Sequence, residues 1–355
     1  MKRTSPSNTA TISWRGFLCI FPILGMIALW NLWGLTQPSS FGSDYIWYRD
    51  GATRLLSGQP LYDPAMLRGP FEYLVPSLFG KFNQAPWIIP IAVPFSALPQ
   101  SVAEAAWLLL VDAALVGALA LAWPRSLNVR LQAYVGVLIV TTPALIIGLE
   151  WGNLQGLCVL GIALFWRGYI RESRSLMIVG LTLAALKVVP AIALVGVLPL
   201  LGRKAIPVVL AAIGAIGILS LPVLIVNGPG AFIDFVRVSA DIRPVVSANV
   251  APALALGVAI PIDSAFVLTR ITGVILLVLI ALTVREPRVR LFLLLLVSSL
   301  LVTNLYSDWL LDPIVGGLIV LADPHWRSRV ERLLGAQDGT EQHSQIRGDQ
   351  GRISP

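Results

Sequence analysis

The chain has 355 residues, of which 56% are hydrophobic and only 13% charged, against about 25% charged in a soluble domain. With a mean hydropathy of +0.78, this excludes an ordinary soluble globular protein and predicts an all-α polytopic membrane protein. The net charge of +7 does not point to nucleic acid, because the basic residues lie between apolar runs rather than on one soluble face.

The first apolar run, Phe17 to Trp33, follows Lys2, Arg3 and Arg15. No convincing small-residue cleavage site comes after it, so it reads as an uncleaved anchor behind a cytoplasmic N-terminus of residues 1–15. A large polar loop of about 36–99 comes next. Within it, FGSDYIWYRDGATRLLSGQPLYDP spaces apolar residues as an interfacial helix does, and Gly58 and Pro60 stop that helix. The Pro-rich segment 87–99 is too short for a confident span and reads as interfacial or re-entrant. Further apolar runs fall at about 105–123, 131–149, 154–166, 175–186, 188–201, 205–226, 265–284, 291–302 and 309–322. About ten spans are predicted inside a membrane domain of 16–336, several of them short enough to need tilt or burial by neighbours. The polar tail 337–355 is expected to be disordered.

Charge divides the connecting segments into two sets. PRSLNVR, RGYIRESR, GRK, REPRVR and the two termini carry 18 of the 26 Lys and Arg residues. By the positive-inside rule this set is cytoplasmic, so both termini lie inside and the long, chemically varied loops face outward.

Asp44 falls at or just before the first turn of the interfacial helix, where the helix N-terminus favours an ionised carboxylate with a low pKa. Such a group can take a proton from a hydroxyl as general base. It can also be a plain N-terminal helix anion, the reading that the residues by themselves favour. Lys187, between LTLAAL and VVPAIALV, sits at the bend of a tight hairpin, or else inside one long tilted span. A cation near membrane depth needs a partner, an anionic ligand or a route to the headgroups. EWGNLQ sets Asn153 and Gln155 in a sharp turn, and NLYSDWLLDP sets Tyr306, Asp308, Trp309 and Asp312 in another. Asp112 and Arg270 read as structural intramembrane charges. The two cysteines, Cys19 and Cys158, lie in apolar runs, and both histidines, His325 and His343, lie in the polar C-terminal region. No disulfide framework, phosphate-binding glycine loop or His-rich metal pattern is present. The sequence requires no cofactor and leaves a divalent cation open.

Five stretches resemble, in order, the polytopic membrane glycosyltransferases of family 87, in the GT-C superfamily. They are SDYIWYRDGATRLLSGQPLYD, FNQAPWIIPIAVPFSALP, WGNLQGLCVLGIALF, GLTLAALKVVPAIAL and TNLYSDWLLDP, extending from about residue 41 to 315. The chain departs from the family pattern at Asn83, Gln84 and Ala85 before Pro86, and in lacking a histidine in the late loop. The resemblance implies a GT-C-like fold and a polyprenyl-phosphate sugar as donor, often a mannose carrier. It also implies a first-loop aspartate as base, which here is Asp44. Lys187, with Arg68 and Arg49, would hold the donor phosphate. Tyr48, Tyr62, Asp63, Asn153, Gln155, Tyr306 and Asp308 are the expected substrate contacts. The expected partners are that donor, a lipid or glycan acceptor and membrane lipids, at the extracytoplasmic face of the plasma membrane. The competing reading is a lipid or small-solute transporter or flippase. It would favour midplane charges on interrupted helices and an internal repeat, and no repeat is seen.

Overall fold

The computed structural model describes residues 21–34, 43–71, 77–243, 251–302 and 307–333. The expected N-terminal segment 1–15, the tail 337–355 and Tyr306 lie outside the described residues. Apart from an isolated parallel bridge between Phe71 and Ile242, the described chain is helical.

The helices follow the apolar runs closely. In chain order they are α1 (Phe21–Gly34), α2 (Ser43–Leu56), α3 (Ile89–Ser96), α4 (Gln100–Ala122), α5 (Val129–Thr141), α6 (Pro143–Trp151), α7 (Gln155–Arg171) and α8 (Arg174–Ala184). There follow α9 (Val188–Val197), α10 (Ala205–Asn227), α11 (Gly230–Asp241), α12 (Pro252–Leu256), α13 (Ile262–Thr283), α14 (Pro287–Ser298), α15 (Leu311–Leu321) and α16 (Pro324–Leu333). Their limits have local causes. Asn128 caps α5 by accepting from Leu131 N at 2.9 Å, and Glu286 caps α14 by accepting from Val289 N at 2.5 Å, with Pro287 at the first helical position. At the end of α2, Gly58 takes φ +67°, a left-handed turn that other residues rarely adopt.

Fewer helices have crossing length than the composition suggests. Among the described residues α4, the stretch Val188–Asn227 and α13 are long and apolar enough to cross a membrane, and a fourth crossing is counted if the bent pair α5–α6 is one span. The physical reason is breakage. Pro143 bends α5 from α6 by 51°, and Gly202, at φ 57° and ψ −134°, interrupts the 3-10 turn Leu198–Lys204 between α9 and α10. Short helices such as α8 and α15 pack on neighbours instead of reaching across alone.

Side-chain contacts sort the connections to two ends of the bundle. At one end Arg327 donates to the Ser126 carbonyl at 2.7 Å, Arg288 pairs with Asp323 and stacks over Trp166, and Lys204 pairs with Glu172 at 3.3 Å. These are the arginine-rich connectors. The Lys204–Glu172 pair also settles the path around Lys187. The chain leaves this end at Arg174 and is back beside it at Lys204, so α8 and α9 form a hairpin with Lys187 at its far bend. From there α10 crosses to the opposite end, where Asn227 Nδ2 donates to the Gln59 carbonyl at 2.6 Å. The polar first loop, the EWGNLQ turn, the lysine bend and the 3-10 turn Ser307–Leu310 all lie at that opposite end.

The centre of the bundle is α7, packed on α4, α8 and α15. Its contact with α8 needs glycine. A Cβ on Gly161 would stand 2.6 Å from the Gly180 carbonyl oxygen, and one on Gly180 the same distance from the Gly161 carbonyl oxygen. Backbone meets backbone there, as small residues permit in membrane helix pairs. Gly180→Ala is therefore expected to destabilise the protein by about 1–3 kcal/mol. Gly214→Ala, at a glycine whose added Cβ meets nothing within 4 Å, should leave the midpoint of thermal unfolding in detergent unchanged.

Candidate active site

Five chain segments converge at the polar end. Asp44 stands in the first turn of α2. α6 ends at Gly152, whose φ of +62° turns the chain sharply into α7, and Trp107 of α4 pins that turn by donating to the Gly152 carbonyl at 2.7 Å. The turn presents Asn153 and Gln155. Lys187 precedes α9, and the adjoining end of α8 is braced by Trp87, whose Nε1 donates to the Ala185 carbonyl at 2.8 Å. Asp308 lies on the Ser307–Leu310 turn and Asp312 in the first turn of α15.

A continuous polar path joins them. Asn153 Nδ2 donates to Asp44 Oδ2 at 2.6 Å, and Asn153 Oδ1 accepts from the Gln155 backbone N at 3.1 Å. The Gln155 side chain donates to Asp312 Oδ1 at 2.5 Å and accepts from Lys187 Nζ at 2.8 Å. Lys187 Nζ lies 3.6 Å from Asp308 Oδ2 and 4.2 Å from the centre of the Trp309 ring, a cation–π placement. Gln155, Lys187, Asp308 and Asp312 are buried, whereas Asp44 and Asn153 are partly exposed. Asp44 is thus the carboxylate of the set that an incoming molecule reaches first.

One lysine faces three acids, so the site is short of positive charge. Asp44, on a helix outside the spanning segments, shows the effect. Burial and the nearby Asp308 carboxylate raise its pKa to about 7, against the opposing pull of Lys187 and of the Asn153 hydrogen bond. This corrects the expectation of a low pKa. The helix N-terminus is present, but desolvation and a like charge outweigh it. Burial likewise pushes the Asp308 carboxyl up against the pull of Lys187. Neither Asp308 oxygen has a partner at hydrogen-bond geometry among the described residues; Lys187 at 3.6 Å, with the backbone N–H groups of Asp308 and Trp309, offsets its charge. Tyr48 is buried against Trp107 at 5.0 Å between ring centres. Burial pushes its phenol well up, so it stays a neutral O–H near Asp44.

Asp44, Tyr48, Asn153, Gln155, Lys187 and Asp308, all expected from the sequence, are therefore brought to one place. Other expected residues are held in different contacts. Asp63 takes Arg54 Nη2 at 3.0 Å and caps the 3-10 turn Pro64–Leu67 through Ala65 N at 3.0 Å. Tyr62 donates to the Gln84 carbonyl at 2.7 Å, with its ring against Phe82. Arg68 is exposed at the end of that same turn, and Arg49 is half-buried on α2 within electrostatic range of Tyr45. Much of the first loop's charge is internal bracing: Asp50 accepts from Arg54 Nε at 2.9 Å and from Phe82 N at 3.0 Å. Asp312 and Trp309 join the site unassigned by sequence reasoning. The signal for Asp312 was a carboxylate just inside an apolar run, too costly to leave unpartnered. Among the described residues no group of three or more His, Cys, Asp or Glu side chains is arranged to hold a metal ion.

The model of glycosyltransferase family 87 matches residues 85–329, well over half of the chain. The chain belongs to that family. Membership makes it a membrane glycosyltransferase, with a sugar donor and an acceptor as its partners. The matched stretch contains Asn153, Gln155, Lys187, Asp308 and Asp312 but begins after Asp44. The place of Asp44 in the site rests instead on its bond to Asn153. No curated protein and no solved structure matches the chain.

Proposed function

We propose that this family 87 member transfers a sugar, mannose as first candidate, from a polyprenyl-phosphate carrier to a hydroxyl of a lipid or glycan acceptor, with inversion. Asp44 takes the hydroxyl proton while the oxygen attacks the anomeric carbon. The bond from that carbon to the phosphate oxygen breaks, and its electron pair leaves with polyprenyl phosphate. Lys187 offsets the charge developing on the phosphate, exchanging its loose pair with Asp308 for the anion. The observation that carries the reading is the unbroken polar path from the most accessible carboxylate, Asp44, through Asn153 and Gln155 to the one cation of the cluster, Lys187. A base and a phosphate holder joined by rigid turns are what an inverting displacement requires.

The proposal includes a GT-C-like arrangement of about ten membrane passages, with the broken and short helices counted among them. The site faces the extracytoplasmic side of the plasma membrane and both termini face the cytoplasm. The gathering of the basic connectors at the end of the bundle away from the site supports this orientation.

Purified protein given labelled polyprenyl-phosphate mannose and a membrane lipid extract is expected to form a glycosidic product. Flux of the carrier across vesicles with no such product would assign a transporter instead. The rate should also report Asp44. With a pKa of about 7, kcat/KM is expected to rise about tenfold per pH unit below 7 and to level off above it. A flat profile between pH 5 and 9 would remove Asp44 as the base.

A further inference from the structure

At the basic end of the bundle, the turn joining α7 to α8 and the 3-10 turn before α10 enclose a cleft of about 520 Å³. Gln155 and Arg171 are the two ends of α7, so the cleft lies about 25 Å from the candidate active site. Tyr169, Glu172, Arg174 and Lys204 form its polar wall, and Ile170 and Leu201 belong to its apolar one. Arg171 and Arg203 flank it, and all four cations are exposed; Glu172 is the one acid of the lining itself. Glu172 is held by an unusual backbone, φ +54°, at the C-terminus of α7, and its carboxylate bridges Lys204 at 3.3 Å. Arg290 and, in the opposite sense, Glu286 act electrostatically on Tyr169. Arg290 is 3% exposed, donates from Nε to the Val284 carbonyl at 2.5 Å, and its Nη1 has no hydrogen-bond partner among the described residues.

An excess of cations beside an apolar wall suits an amphiphile with an anionic head. Ile170, half-exposed, carries the apolar wall out to the surface of the bundle. We propose that this cleft binds the phosphate headgroup of an anionic membrane lipid, in the leaflet opposite the candidate active site. Arg174 and Lys204 hold the phosphate, and one chain lies against Ile170 and Leu201. Glu172 occupies Lys204 when the cleft is empty, so the lipid must displace it. This site is independent of the transferase reading.

Native mass spectrometry of the full-length protein in detergent, titrated with phosphatidylglycerol or phosphatidylcholine, tests the proposal. Phosphatidylglycerol is expected to be retained preferentially. The double variant R174A/K204A should weaken its binding about thirtyfold, from roughly 1 kcal/mol per basic group. Glu172→Gln should strengthen binding by releasing Lys204, an outcome that misfolding cannot imitate. Inorganic phosphate at 10 mM should not displace the lipid. Equal retention of the two lipids, wild-type binding by the double variant, weaker binding by Glu172→Gln, or displacement by inorganic phosphate would each overturn the assignment.

Discussion

Asp44→Asn is expected to lower sugar transfer by about 10²–10⁴-fold, the contribution of a positioned general base. The substitution keeps the shape of the side chain and an oxygen that can still accept from Asn153 Nδ2, now 2.6 Å from the carboxylate. The turn that carries Asn153 and Gln155 should therefore hold, and donor binding should change little. Stability supplies a second readout that a bystander carboxylate would not move. The folded pKa of Asp44, about 7, stands above its ordinary 3.8, so between these values the folded state binds the proton and the unfolded state does not. Stability is then lost as pH rises from about 4 to about 7. Asp44→Asn carries no such proton. Its unfolding midpoint should match wild type near pH 4 and exceed it near pH 8, while activity stays low at both. Full activity in this variant would end the assignment of Asp44 as base. A constant difference in midpoint across pH would show that its carboxylate is not the strained group described.

The helices were legible where the residues that stop them stand out, as Gly58 and Pro60 do after the interfacial helix; the bend at Pro143 was not, and it splits the run read as 131–149 into α5 and α6. The alternation of basic and polar connectors was legible for a similar reason. It records which ends of the helices meet, and Arg288–Asp323 and Lys204–Glu172 meet as that pattern requires. The site was legible where a polar residue had no inexpensive place to be: Lys187 and Asp308 are costly at membrane depth unless paired. It was illegible in the first loop, where polar residues are common. There Asp44, Asp50 and Asp63 look alike as letters, and only the fold separates one that reaches Asn153 from two that brace Arg54. The pKa of Asp44 was illegible too. The helix N-terminus is a local feature, whereas Asp308 comes from a residue more than 260 positions away and burial comes from the whole bundle.

Lys187→Met is expected to cost about 3–5 kcal/mol of stability, the penalty for removing one partner of a buried ion pair, and to abolish transfer. Lys187 is 7% exposed and Asp308 fully buried, so water cannot replace the lost charge. Trp309 also loses the ammonium over its ring, and the Gln155 side-chain oxygen loses its donor. A loss of activity in this single variant would not by itself separate a phosphate holder from a structural pin. The double variant Lys187→Met with Asp308→Asn separates them. Neutralising Asp308 removes the stranded carboxylate, so most of the lost stability should return, as read by thermal unfolding in detergent. Transfer should remain at least about 10²-fold down, because nothing is left to offset charge on the departing phosphate. If stability and transfer both return, Lys187 serves only to neutralise Asp308, and the leaving group must be stabilised elsewhere. If stability does not return, the pair with Asp308 is not what the lysine contributes, and its bond to Gln155 must carry the bend.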